Sequence, residues 1–247
     1  MPTTDLRPPV EQATESRRPM ARRLTLTAIA LSMCLVFAGT AAAWDSARGS
    51  DASAAAHGDH TNNANRNRID PVVFHQDMRK LWEDHVTWTR LYIVSAIAGL
   101  PDLDATANRL LQNQDDIGNA IAAFYGEDAG HALAALLRDH IQIAADLVAA
   151  AKSGNDALVA SKLADWYANA DEISTFLAAA NPAWPVDTLK DMMRAHLDQT
   201  LAEATARLTG DWNADVAAYD EIHLHILHMA DTLADGIVEQ FPLRFTH

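Results

Sequence analysis

Histidines, carboxylates and amides recur along this chain at a fixed spacing. His85, His140 and His196 stand 55 and 56 residues apart, and each is followed 14 positions later by a glycine, Gly99, Gly154 and Gly210. Asn113 lies 14 residues after its glycine, whereas Asn169 and His225 each lie 15 after theirs; three positions further on come Asp116, Glu172 and His228. Imidazole nitrogen and carboxylate oxygen are donors for zinc, iron, copper or nickel. If these positions share one level, His85, His140, His196, His225 and His228 with Glu172 and Asp116 form a candidate transition-metal layer. His225 and His228 are helical i, i+3 neighbours, the spacing by which one helix supplies two ligands. His223 is expected on the outer face of that helix. The competing reading is structural: neutral His hydrogen-bonds Asn across each helix pair and fixes the register of helices rich in interchangeable Ala and Leu.

Such a layer needs helices to hold it. From about Ile69 apolar residues fall at three- and four-residue spacing, as in Leu133, Leu136, Leu137, His140, Ile143, Ala144, Leu147 and Val148, and alternating β-branched runs are missing. Turns are marked at Gly99 to Asp102, Gly126 to Asp128, Gly154 to Asp156, Asn181 to Pro185 and Gly210-Asp211. The fold class expected is all-α, a six-helix up-down bundle built of three repeated antiparallel helical hairpins over residues 70–247. In a hairpin, residues equally far from the turn lie level, here about 21 Å below it at about 1.5 Å per residue. Each His should therefore face the Asn or His opposite. The neighbours of these polar positions, such as Leu81 and Trp88 beside His85 or Trp166 and Ile173 beside Asn169, place them on the inward face.

The amino-terminal part reads differently. Arg17, Arg18, Arg22 and Arg23 precede an uncharged apolar run from Leu24 to Ala38, and Ala41-Ala42-Ala43 offers a small-residue cleavage site before Trp44. Residues 1–43 are read as a secretory signal peptide, the chain being exported to the periplasm or beyond; the alternative is a retained anchor at residues 24–43, which would be its contact with membrane. Residues 44–69, rich in Ser, Ala, Gly, Asp and Asn, are expected to be a disordered tether, with His57 and His60 solvated in it. The single cysteine, Cys34, lies in the apolar run, so cleavage leaves a chain without thiolate chemistry or disulfides.

The formal charge of the 247 residues is −14, from 33 Asp and Glu against 19 Lys and Arg. That leaves no basic surface to replace counterions, so nucleic acid is not an expected partner. A glycine-rich phosphate loop, a nucleophile elbow and a His-Glu-x-x-His motif are all missing, so no catalytic residue is assigned and a non-catalytic role is expected. Trp82, Trp88, Trp166, Trp184 and Trp212 are read as packing at helix ends and faces.

The stretches Leu81 to Arg90, Leu110 to Gly118, Trp166 to Glu172 and His196 to Thr200 resemble a family of small bacterial all-helical proteins with no established activity. The resemblance covers nearly everything after residue 75 and implies the same helical fold. Members often carry automatic names such as glycosyltransferase or acetylglutamate kinase, which no sugar-nucleotide or phosphate-binding element here matches. It implies no functional residue.

Overall fold

A computed structural model describes residues 68–246; the leader and nearly all of the tether expected from sequence lie outside the described residues. Six helices follow one another: α1 (Pro71–Ala98), α2 (Leu103–Tyr125), α3 (Glu127–Ser153), α4 (Asp156–Ala180), α5 (Val186–Thr209) and α6 (Trp212–Gln240). A 3-10 turn, Pro242–Arg244, ends the domain, and the described residues include no strand beyond an isolated bridge between Ile69 and Phe245. The chain is all-α, as its periodicity implies, and none of these helices is long and apolar enough to cross a membrane.

Helix ends follow from local chemistry. The carboxylate of Asp70 accepts the Val72 N–H at 2.8 Å, and Asn155 and Asp211 cap α4 and α6 through the Leu158 and Ala214 N–H groups at 3.1 Å. Each satisfies a donor that the first turn leaves unpaired. Helices α1, α3 and α5 stop at Gly99, Gly154 and Gly210, with φ of 67°, 70° and 78°, a left-handed conformation that glycine adopts without a side-chain clash.

The helices form a closed ring. Each packs on its neighbours in sequence, α6 returns to α1, and α1 also reaches α3 and α5 across the middle. Ring closure is reinforced where Ile69 donates to the Arg244 carbonyl at 2.8 Å and Thr246 donates to that of Ile69 at 2.9 Å. Close approach has its own sequence basis: a Cβ added at Gly118 of α2 would lie 2.7 Å from the Gly130 carbonyl oxygen of α3. Only glycine permits these two backbones to come so near.

Below the histidine level, away from the glycine turns, the core is filled by Met78, Trp82, Ile117, Leu133, Ile173, Leu189 and Met193. Above it, the interior is not filled.

Candidate functional site

One hydrogen bond is made three times. Asn113 of α2 donates its Nδ2 to the Leu81 carbonyl at 3.0 Å, Asn169 of α4 donates to that of Leu136 at 3.2 Å, and Nε2 of His225 on α6 meets that of Met192 at 2.9 Å. Each acceptor lies four residues before the histidine of the partner helix. The returning helix thus grips the backbone one turn below His85, His140 and His196, at the level expected from counting along the hairpins.

These three histidines are buried and come together. The ring centroids of His85 and His196 are 5.7 Å apart and those of His140 and His196 6.4 Å. Burial disfavours the charged form, which pulls His85 down to about 3 and His140 to about 4 from 6.5, and holds His196 well below its ordinary value. The neighbouring imidazoles push His196 the same way. All three rings are neutral at physiological pH.

The three rings differ in their partners. Nδ1 of His140 is 2.8 Å from Oδ1 of Asn169, whose amide nitrogen is already committed to Leu136, so His140 Nδ1–H donates and Nε2 carries the lone pair. Nδ1 of His85 lies 3.3 Å from Nε2 of Gln114, an amide nitrogen that also donates to the Leu110 carbonyl at 2.8 Å and to Oδ1 of Asn113 at 3.3 Å. His196 differs: its Nδ1 is buried without any hydrogen-bond partner. The expected contact between His196 and His225 is replaced by the bond from His225 to the Met192 backbone.

The rings form the floor of a cavity of about 140 Å³ that extends toward the glycine turns between α1, α3 and α5. Its walls are almost wholly apolar, including Ile93, Ile97, Leu110, Leu147, Val148 and Leu201, with Ala144, Ala145, Ala151 and Ala204 at positions where a larger side chain would fill the space. Trp166 of α4 stands beside the floor, its ring 5.2 Å from that of His140, and its buried Nε1–H has no partner. The hydroxyls of Thr89 and Thr200 also line the cavity, but each donates to the carbonyl four residues back, of His85 and His196 respectively.

The other members of the sequence-predicted layer do not join it. Asp116 is on the surface, 3.7 Å from Arg109, while Glu172 and His228 are exposed. A residue three positions beyond an inward Asn is turned about 60° from it, and each returning helix presents only a narrow stripe to the interior. His225 is half-buried and held by backbone. Among the described residues no group of three or more His, Cys, Asp or Glu side chains is arranged to hold a metal ion. His223, expected on the outer face, pairs with Glu83 of α1 at 2.8 Å.

Sequence reasoning missed three features. Gln114 was hidden behind Asn113, yet it is fully buried because α2 faces α1 and α3 at once. Trp166 carries a polar edge into the interior as well as packing area. A buried charge network also escaped notice: Arg90 of α1 holds Glu203 of α5 at 2.6 Å and Asp215 of α6 at 2.9 Å, and Arg207 adds a contact to Asp215 at 3.1 Å. Burial nonetheless raises Glu203 to about 7. The available signal was two acids and two arginines at positions that helical periodicity turns inward.

No protein family, curated protein or solved structure matches the chain.

Proposed function

We propose that this chain is an exported, non-catalytic binding protein that holds a small, largely apolar molecule in the cavity above its three histidines. The observation that carries this reading is the unpaired nitrogen at an apolar wall: His196 Nδ1 and Trp166 Nε1 are buried, lack protein partners, and belong to side chains lining the same cavity. An orphaned buried polar group costs about 1–3 kcal/mol, so two at one cavity are a standing cost that a bound molecule offsets. The volume suits this occupant, because apolar cavities of about 150 Å³ take up benzene. A bare divalent cation suits the cavity less well, since no carboxylate lies with the three imidazoles to balance its charge, Glu172 and Asp116 lying at the surface.

Export rests on the leader-like residues 17–43 and is tested by recovering a chain that begins at Trp44 from outside the cytoplasm. Binding is tested by titrating the full-length chain with toluene, phenol and indole while following its melting temperature and the heat of binding. A ligand selective for the folded state raises the melting temperature by mass action. The variants Ala144→Met and Ala204→Met, which fill the cavity, should keep the fold and lose the response. Absence of any response in the wild-type chain, or an equal response in both variants, overturns the reading. So does stoichiometric metal in the isolated chain that disappears in His196→Ala, which would restore the metal layer expected from sequence.

The structural alternative has an observation in its favour, the three equivalent bonds to Leu81, Leu136 and Met192. These bonds set helix register and are what a duplicated hairpin would inherit. They use the Asn amides and His225, and leave the cavity-facing nitrogens unexplained.

A further inference from the structure

The floor is chemically asymmetric, and that asymmetry selects a functional group. His140 offers a lone pair at Nε2, because its Nδ1 hydrogen is spent on Asn169. Trp166 offers a hydrogen at Nε1, and His196 offers one donor and one acceptor and has no protein partner at Nδ1. Donor and acceptor therefore lie side by side under an apolar chamber. A carbonyl or ether can satisfy only the donors. A carboxylate would need a cation, and the three imidazoles are neutral while Arg90 of α1 is paired with Glu203 of α5 and is not among the residues lining the cavity. A hydroxyl has one hydrogen to give and two lone pairs, and so matches both kinds of group at once.

We propose that the cavity selects a single-ring aromatic alcohol of the phenol class, its ring among Ile93, Leu147 and Val148 and its hydroxyl on the floor formed by His140, His196 and Trp166. This rests on the binding function above and names the ligand class of that same site. Size agrees: a cavity of about 140 Å³ admits one six-membered ring with a single small substituent. Polarity agrees as well. In a wholly apolar cavity phenol is disfavoured against toluene by loss of hydration, whereas partners waiting at the floor reverse that order.

The decisive comparison is phenol against toluene, near-isosteres that differ in the hydroxyl, with benzoate as the charged control, measured by calorimetry on the full-length chain. Phenol should bind at least about tenfold more tightly than toluene, the ratio expected from one satisfied buried hydrogen bond, and benzoate should give no heat. In His196→Leu and Trp166→Phe the preference should fall to about one or invert, with toluene still bound. His196→Leu is the safer variant, because its ring has no bond to the protein at Nδ1 that the fold would lose. Toluene binding as tightly as phenol in the wild-type chain refutes the hydroxyl inference while leaving the cavity's binding role intact. Failure of all three probes removes both, and binding of benzoate in preference to phenol shows that the floor is charged and overturns the ligand class.

Discussion

Three buried neutral imidazoles should make this fold acid-sensitive well above the range in which carboxylates titrate. The ordinary imidazole value of 6.5 describes the unfolded chain; in the folded chain His85 lies at about 3, His140 at about 4 and His196 well below 6.5. Above pH 6.5 neither state is protonated and the contribution is constant. As pH falls below 6.5 the unfolded state takes up protons that the folded state refuses, so stability is lost down to the folded values. From pH 7 to pH 5 His85 and His140 each cost about 2 kcal/mol, and His196 adds to the loss in the same direction. Glu203 works the other way: its carboxyl is raised to about 7 from 4.5, so the folded state protonates first and regains about 2 kcal/mol over the same interval. His85, His140 and Glu203 together give a net loss of about 2 kcal/mol, with a slope near pH 5.5 of about 1.2 kcal/mol per unit, and His196 steepens it, against the roughly 5–15 kcal/mol that holds a typical domain. Urea unfolding of the full-length chain at half-unit steps from pH 7 to pH 5 measures the slope. Other groups contribute to the absolute curve, so the test is a difference. His196→Leu should lower the slope and Glu203→Gln should raise it by about one proton. A slope unchanged by His196→Leu would mean that this ring is already charged or solvated in the folded chain, and the account of the floor would fall with it.

Four further outcomes follow from the packing. Asn169→Leu strands the His140 Nδ1–H, and chemical denaturation should register a loss of about 1–3 kcal/mol. Arg90→Leu leaves Glu203 and Asp215 without their principal cation, at a cost of about 3 kcal/mol or more, and the unfolding midpoint should recover in part when Glu203→Gln is added. Gly236→Ala would put a Cβ 2.0 Å from Nε1 of the buried Trp184, so it should cost about 1–3 kcal/mol and change the near-ultraviolet tryptophan signal. Asp116→Asn, Glu172→Gln and His228→Gln should each shift stability by less than about 0.5 kcal/mol, because these side chains face solvent.

What the chain made legible was whatever repeats at short range. Caps at Asp70, Asn155 and Asp211 and left-handed glycines at helix ends are local chemistry, and they mark the elements without knowledge of the rest. Level matching across a hairpin also follows from counting, which is why Asn113, Asn169 and His225 meet the helix opposite. Rotation about the helix axis follows less well: Asp116, Glu172 and His228 are only one turn from those residues but face outward. The cavity was not legible at all. Ala144, Ala151 and Ala204 read as ordinary small core residues, and only the distance between α1, α3 and α5 decides whether small side chains mean close helices or empty space. Gly118 and Gly130 give the first outcome between α2 and α3. The four alanines around the cavity give the second.

That contrast bears on why polar groups sit in this interior. If His85, His140 and His196 served only to set register, every nitrogen at their level would be expected to end in a protein partner, as Asn113 and Asn169 do, because an unpaired buried group adds cost without specificity. Instead the bonds that set register run through the amides and through Nδ1 of His140, and of the buried atoms left without a partner His196 Nδ1 and Trp166 Nε1 belong to side chains lining one cavity, while Trp82 Nε1 and Gln114 Oε1 lie beside His85 outside that lining. Alanines keep that cavity from collapsing onto the floor. A fold under selection for stability alone could replace His196 by leucine and enlarge two of the alanines with little rearrangement. His196→Leu combined with Ala144→Met should therefore be more stable than the wild-type chain at pH 7 and unable to bind, the trade-off expected when polar groups are kept for an occupant and not for the fold.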